Sequence, residues 1–341
     1  MTPTGETSTG GTPTGETPTG GTPTGQTPAG QTPLAGLPAR VTVYEVGARD
    51  GLQNESSVIP VEVKAEFVRR LLAAGHTAVE TTSFVSPSWV PQLADAAQLL
   101  ELLGERPAGV RMPVLVPNGK GLERALATGV QEIAVFGSAT ETFARKNLNC
   151  SVAESLEMFR PVVDRARSER LQVRGYLSMC FGDPWEGPVD PHVVARHART
   201  LFDMGIGELS LGDTIGVATP GEVVALLDSS AQQGITPDRL AVHFHDTYGQ
   251  ALANTLVALQ HGVTVVDASA GGLGGCPYAK CATGNLATED LLWQLHGLGI
   301  STGVDLHSLA RTSLWMAEQL GRPSPSRVVQ ALSPELAKEP S

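Results

Sequence analysis

From Val41 onward the hydrophobic positions form short apolar or β-branched runs separated by longer amphipathic stretches. The runs lie at 41–46, 77–82, 112–116, 132–136, 173–179, 208–211, 240–244 and 263–268. Each is too short for a stable helix and rich in residues that fit a pleated surface, so each predicts a strand. The stretches between them, at 61–74, 91–103, 121–128, 152–169, 191–204, 220–233 and 249–260, gather their apolar residues on one helical face. Helical pattern resumes at 286–298 and at 306–320. Gly75, Gly129, Gly205 and Gly262 each close a helical stretch ahead of a strand, as a left-handed C-terminal cap requires.

Eight strand–helix units in roughly 260 residues predict an α/β protein of the (β/α)8, or TIM-barrel, class rather than an open doubly wound sheet. No GxGxxG follows the first run, which argues against a dinucleotide-binding fold. The barrel domain is expected over residues 41–300, with a short helical extension over 301–341.

The first forty residues are different in kind. A ten-residue unit, TPTGETSTGG, then TPTGETPTGG, then TPTGQTPAGQ, runs from Thr2 and fades at Thr32, and no large apolar residue appears until Leu34. Such a segment buries too little surface to offset its ordering entropy, so residues 1–40 are expected to be a disordered tail. Its first basic residue is Arg40, whereas a transit peptide needs many arginines, and the C-terminus lacks a peroxisomal address. A cytoplasmic protein is the expectation.

The net charge of −11 argues against nucleic acid and anionic membranes as partners. An anionic substrate would have to meet a metal or a few placed Arg and Lys residues. Hydrophobic residues at 41% support a sizeable core, and no apolar run is long enough to span a bilayer. Four cysteines, Cys150, Cys180, Cys276 and Cys281, form no CxxC pair, consistent with reduced thiols.

In a barrel of this class the reactive groups gather where strands end. Polar residues do cluster there: Arg49 and Asp50 after the first strand, Glu80 at the second, Asp213 at the sixth, His243 and His245 at the seventh. Two residues apart on a strand, both imidazoles point to one face and can share an ion. Asp50 would add a charged oxygen and Asn285 a neutral one, a mixed set that suits Mg²⁺ or Mn²⁺ without excluding zinc. Arg49 is either a structural partner of Glu45 or Glu80 or a charge that meets a developing oxyanion. Glu80 and Asp213 fit supporting roles better than direct chemistry. Cys276 follows a run of four glycines between Gly271 and Gly275. A thiol on a loop able to close over the site could act as an acid or base, whereas most lone cysteines only pack.

Five segments, EVGARDGLQNE (45–55), VETTSFVSPSWVPQLAD (79–95), LSLGDTIGVATPG (209–221), AVHFHDTYGQALANTL (241–256) and AGGLGGCPYAKCATGNLATED (270–290), resemble hydroxymethylglutaryl-CoA lyases. The resemblance implies Asp50, His243, His245 and Asn285 as ligands of a divalent ion, Arg49 as the substrate and enolate contact, and Cys276 as the catalytic loop cysteine. It also implies Glu80, Asp213 and Glu289 around the site, and Gln53 and Ser83 beside Arg49 in substrate binding. The implied reaction is retro-Claisen cleavage of 3-hydroxy-3-methylglutaryl-CoA to acetyl-CoA and acetoacetate, as in leucine degradation and ketone-body formation, by a homodimer. The first proton acceptor stays open between His243 and Asp213. A lyase for a bulkier 3-hydroxy-3-alkylglutaryl-CoA, a related Claisen-type acyl-CoA synthase, and an inactive binding barrel are the alternatives.

Overall fold

The computed structural model describes residues 34–275 and 284–337. Residues 1–33, and Cys276 with them, lie outside the described residues. Eight parallel strands make one sheet: β1 (Thr42–Glu45), β2 (Thr82–Ser83), β3 (Val114–Leu115), β4 (Glu132–Ser138), β5 (Gln172–Ser178), β6 (Glu208–Asp213), β7 (Leu240–Phe244) and β8 (Val265–Ala268). Spatial order follows chain order, with β8 beside β1. The last seam is drawn together at Glu45 and Val79: Glu45 N–H donates to Ala78 O at 3.0 Å and Glu80 N–H to Glu45 O at 2.8 Å. The sheet thus returns on itself as a (β/α)8 barrel.

Helices α1 (Val61–Ala73), α2 (Ala96–Leu103) and α3 (Gly119–Leu126) follow the first three strands. After β4 come α4 (Glu141–Leu148) and α5 (Val152–Ser168), then α6 (Pro191–Met204), α7 (Pro220–Gln232) and α8 (Ala251–Gln260) alternate with the later strands. The chain ends in α9 (Thr288–Gly297), α10 (Leu306–Leu320) and α11 (Arg327–Leu336). Among the described residues no helix is long and apolar enough to cross a membrane.

Most boundaries fall within two residues of the hydrophobic pattern, and the departures have causes. The stretch 91–103 is broken: Pro91–Leu93 makes one 3-10 turn and α2 starts only at Ala96. In α4 only Phe143 and Ala144 are buried, too few to register as a periodic stripe. At the second strand the run 77–82 pairs only through single bridges at Ala78 and Val79 before the ladder at Thr82–Ser83. The glycines cap as expected, with φ of +104° at Gly75, +75° at Gly129, +108° at Gly205 and +91° at Gly262. At Gly75 a side chain is also sterically excluded, because a Cβ would collide with the Gly303 carbonyl oxygen.

Side chains alternate across the barrel wall. Val41 and Val43 join the large apolar layer between sheet and helices. Tyr44, on the opposite face, joins an inner cluster with Leu115, Ala134 and Tyr176. Charged groups share that interior: Arg174, fully buried, stacks on the rings of Tyr44 at 3.8 Å and Tyr176 at 4.6 Å. Ahead of β1, Leu37 packs against the core and Arg40 is bridged to Ser301.

Candidate active site

Beyond β1 the chain winds through a single π-helical turn, Gly47–Gly51, that carries Arg49 and Asp50 into the barrel mouth. Turns of this kind are rare and concentrate at functional sites. Glu45 anchors it: Oε1 accepts from Gly47 N–H at 2.7 Å and Ala270 N–H at 2.9 Å, and Oε2 from the Thr288 hydroxyl at 2.7 Å. One buried carboxylate therefore ties the turn after β1 to the loop after β8 and to the start of α9. Burial, only partly offset by those hydrogen bonds, pushes its pKa to about 7.

Arg49 is paired with Glu80, and not with Glu45. Its Nε and Nη2 each lie 2.7 Å from Glu80 Oε2, and Nη1 lies 2.6 Å from Asp50 Oδ1. The Tyr176 hydroxyl donates to the same Glu80 oxygen at 3.0 Å. Burial alone would lower the guanidinium's pKa, but the two carboxylates hold it well above its ordinary value. Glu80 is wholly buried behind Arg49.

Asp50, His243 and His245 converge: one nitrogen or oxygen from each lies within 4.8 Å of the other two. Burial would raise the Asp50 carboxyl, but Arg49, His243 and His245 outweigh it and bring the pKa to about 2. His245 is pulled down to about 4 by burial and by His243, so its imidazole is neutral with a lone pair to offer. Asn285, bridged to His245, donates from Nδ2 to Asp50 Oδ2 at 2.8 Å. Its Oδ1 is buried without a hydrogen-bond partner. An orphaned buried acceptor beside a carboxylate and two imidazoles is the donor set that a divalent cation satisfies.

Arg49, Asp50, His243 and His245 line the floor of a cavity of about 730 Å³, and Asn285 adjoins them through Asp50. Gln53 joins them, donating to Asp50 Oδ1 at 3.0 Å. Val85, Trp89, Phe136 and Phe143 make an apolar wall, and Lys146 with Asn149 stands on another part of it. Gly275 reaches the wall as well, its carbonyl accepting from Asn54 Nδ2 at 2.7 Å.

Five residues singled out in the sequence stand off this wall: Glu80 and Asn285, which reach it through Arg49 and Asp50, and Ser83, Asp213 and Glu289. Ser83 is buried, donating to Leu115 O at 3.3 Å and accepting from Val85 N–H at 3.2 Å. Asp213 accepts from Val217 N–H at 2.9 Å and Ala218 N–H at 3.0 Å, with a pKa raised to about 6 by burial. Glu289 accepts from Gly271 N–H at 2.9 Å and from the Ser313 hydroxyl, and burial pushes it to about 8. Sequence reasoning passed over Tyr176, Arg174 and Asp267. The available signal was polarity at inward strand positions, since Arg174 and Tyr176 are two apart on β5.

Comparison with known proteins accords with this geometry. Residues 40–315 match the HMGL-like family model. The mitochondrial hydroxymethylglutaryl-CoA lyase of Arabidopsis thaliana is 50% identical over 90% of this chain, which spans 65% of that protein's length. The structure of hydroxymethylglutaryl-CoA lyase from Pseudomonas aeruginosa superposes with a TM-score of 0.85 at 50% identity, covering 88% of this chain and 99% of that one. An HMG-CoA lyase from Acinetobacter baumannii, solved with coenzyme A and 3-methylmalate, gives a TM-score of 0.82 at 33% identity, over 86% of this chain and 95% of that one. By its family match and by this identity over nearly its whole barrel, the chain belongs to the hydroxymethylglutaryl-CoA lyase (HMGL-like) family.

Proposed function

We propose that this protein cleaves 3-hydroxy-3-methylglutaryl-CoA to acetyl-CoA and acetoacetate with the help of a divalent cation. The observation that carries the reading is the meeting of a permanently charged Arg49 with Asp50, His243 and His245 on one cavity floor, with Asn285 hydrogen-bonded to Asp50 beside them. Family membership supports the same chemistry, and the relative solved with coenzyme A supports an acyl-CoA substrate.

Asp50, His243, His245 and Asn285 Oδ1 would hold the ion, with Mg²⁺ or Mn²⁺ proposed from the ligand types. When bound, it supplies Lewis acidity toward substrate oxygen. The C3 hydroxyl gives its proton to a base, with His243 and Asp213 the candidate acceptors, the C2–C3 bond breaks, and that electron pair passes into the thioester as the enolate of acetyl-CoA. Acetoacetate is the second product, and C2 of the enolate then takes up a proton. Arg49, clamped by Glu80 and Asp50, meets the negative charge on the enolate oxygen without having to reorganise. Gln53 holds Asp50 and contacts substrate. Glu80 orients Arg49, Asp213 fixes the turn that ends at Ala218, and Glu289 supports Gly271 at the root of the loop leading to Cys276. Ser83, whose hydroxyl is committed to backbone partners, supports the substrate-facing wall through Val85. Cys276 is the proposed donor of the final proton.

Release of acetyl-CoA is the test, measured with 3-hydroxy-3-methylglutaryl-CoA and with analogues carrying longer 3-alkyl groups, each with and without added Mg²⁺ or Mn²⁺. Turnover of the methyl substrate that needs the metal supports the reading. Preference for a longer alkyl group would replace the substrate, and activity in metal-free protein would end the metal assignment. The proposed assembly is a homodimer and the proposed setting the cytoplasm. Sedimentation and cell fractionation test these, the plant relative being named for the mitochondrion.

A further inference from the structure

Asp267 takes no part in the chemistry above, yet it is one of the most heavily bonded side chains in the barrel. It lies on β8 directly opposite His243 on β7, fully buried. Arg174 donates to both of its oxygens, from Nη2 to Oδ1 at 2.6 Å and from Nη1 to Oδ2 at 3.2 Å, and the Ser210 hydroxyl donates to Oδ2 at 2.8 Å. Arg174 is itself immobilised, sandwiched by Tyr44 and Tyr176 and donating through Nε to Glu208 Oε1 at 2.6 Å. A carboxylate held by a guanidinium fork in this way remains ionised and only accepts hydrogen bonds.

The remaining neighbour of Asp267 Oδ2 is His243 Nδ1, at 3.4 Å. That nitrogen is buried and has no other polar partner. The contact is long for a hydrogen bond, and a small rotation of the ring would bring it into range. With Nδ1 facing an anion, the favoured neutral tautomer carries its proton there. The lone pair is then on Nε2, free for the group of donors around Asp50.

We propose that Asp267 is the positioning residue for His243: it selects the Nδ1–H tautomer and fixes the ring, and Arg174 is the strut that keeps Asp267 in place. This rests on the proposed role of His243 as a metal ligand. Carboxylates behind ligating histidines act in this way in metal sites generally, and their loss weakens metal binding about 10–100-fold. The competing view makes Asp267 only the charge partner of Arg174, and it predicts no effect on the histidine.

The experiment uses the full chain labelled with ¹⁵N-histidine. Imidazole resonances are recorded in chelated and Mg²⁺-saturated protein, and those of His243 are identified by their loss in His243→Gln. Wild-type His243 is expected to carry its proton on Nδ1 even without metal; the Nε2–H tautomer in the chelated protein overturns the proposal. This arm holds even if substitutions at position 267 disturb folding. In the second arm Mn²⁺ affinity is titrated for wild type and for Asp267→Asn, whose amide can turn its NH₂ toward Nδ1 and favour the opposite tautomer. An affinity about 10–100-fold weaker, with the tautomer reversed, supports the proposal. Equal affinity with an unchanged tautomer sinks it while leaving the metal site standing. A wild-type protein that binds no Mn²⁺ would instead remove the metal reading, and this inference with it.

Discussion

Arg49 and Glu80 form a buried ion pair in which Nε and Nη2 of the guanidinium both lie 2.7 Å from one carboxylate oxygen. The pair fixes a positive charge at the cavity floor while consuming only part of its donor fork. If Arg49 meets charge that appears during cleavage, Arg49→Gln lowers kcat by about 10²–10³ or more while Mn²⁺ still binds. Glu80→Ala removes the wholly buried one of the two carboxylates that hold the guanidinium, leaves Asp50 as its remaining partner, and lowers stability by about 3 kcal/mol. Steady-state kinetics and urea denaturation check both, and an Arg49→Gln enzyme with normal kcat would remove Arg49 from the chemistry.

Asp50→Ala and His245→Ala each remove one member of the converging set. Both are expected to lose measurable Mn²⁺ binding in a titration. Chelation of the wild type should stop turnover, and restoring Mg²⁺ or Mn²⁺ should bring it back. Full activity in exhaustively chelated protein contradicts the site.

Glu289, at about 8, titrates in the folded protein well above the ordinary value of 4.5. Between those values the folded state holds a proton that the unfolded chain has released. Its contribution to stability is therefore complete below about 4.5 and is lost as pH rises through about 8. Other groups titrate too, so the informative quantity is a difference. From pH 5 to pH 9, Glu289→Gln should lose less unfolding free energy than wild type, by about 1.4 kcal/mol for each unit of the raised pKa. Parallel pH profiles for the two proteins would show that Glu289 is not so perturbed.

Lys146, on the cavity wall and stacked 4.9 Å from the Trp185 ring, is a cation available to an anionic substrate in an acidic protein. Lys146→Ala is expected to raise KM for the acyl-CoA several-fold at low salt and change kcat little, with the difference shrinking as salt screens the contact. A KM independent of both the substitution and the salt would place the acyl-CoA phosphates elsewhere.

Removing residues 1–33 is expected to leave melting temperature and activity unchanged, because that segment offers no apolar anchor. Removing 1–40 should lower the melting temperature, since it also deletes Leu37 from the core and Arg40 from its bridge to Ser301. Scanning calorimetry of the two truncations separates these outcomes.

The sequence by itself determined the barrel, because strand and helix periods alternate eight times and glycines sit where left-handed caps are needed. It also determined that His243 and His245 share a face, since a period of two is a local property of extended chain. It could not determine which neighbours those faces meet. Asp267 reaches His243 and Arg174 reaches Asp267 only because β7 lies beside β8 and side chains from several strands share the barrel interior. Glu45 likewise reaches Ala270 and Thr288 only after the sheet has closed. Strand ends show where polar chemistry gathers, but each side chain's aim depends on the backbone donors that the conformation of the following loop presents. Those donors turn Asp213 toward Val217 and Ala218 and Ser83 toward Val85, while Arg49 and Asp50 reach the cavity on a π-helical turn. Periodicity is written in neighbouring residues; hydrogen-bond partners separated by dozens to hundreds of residues are selected by the tertiary fold.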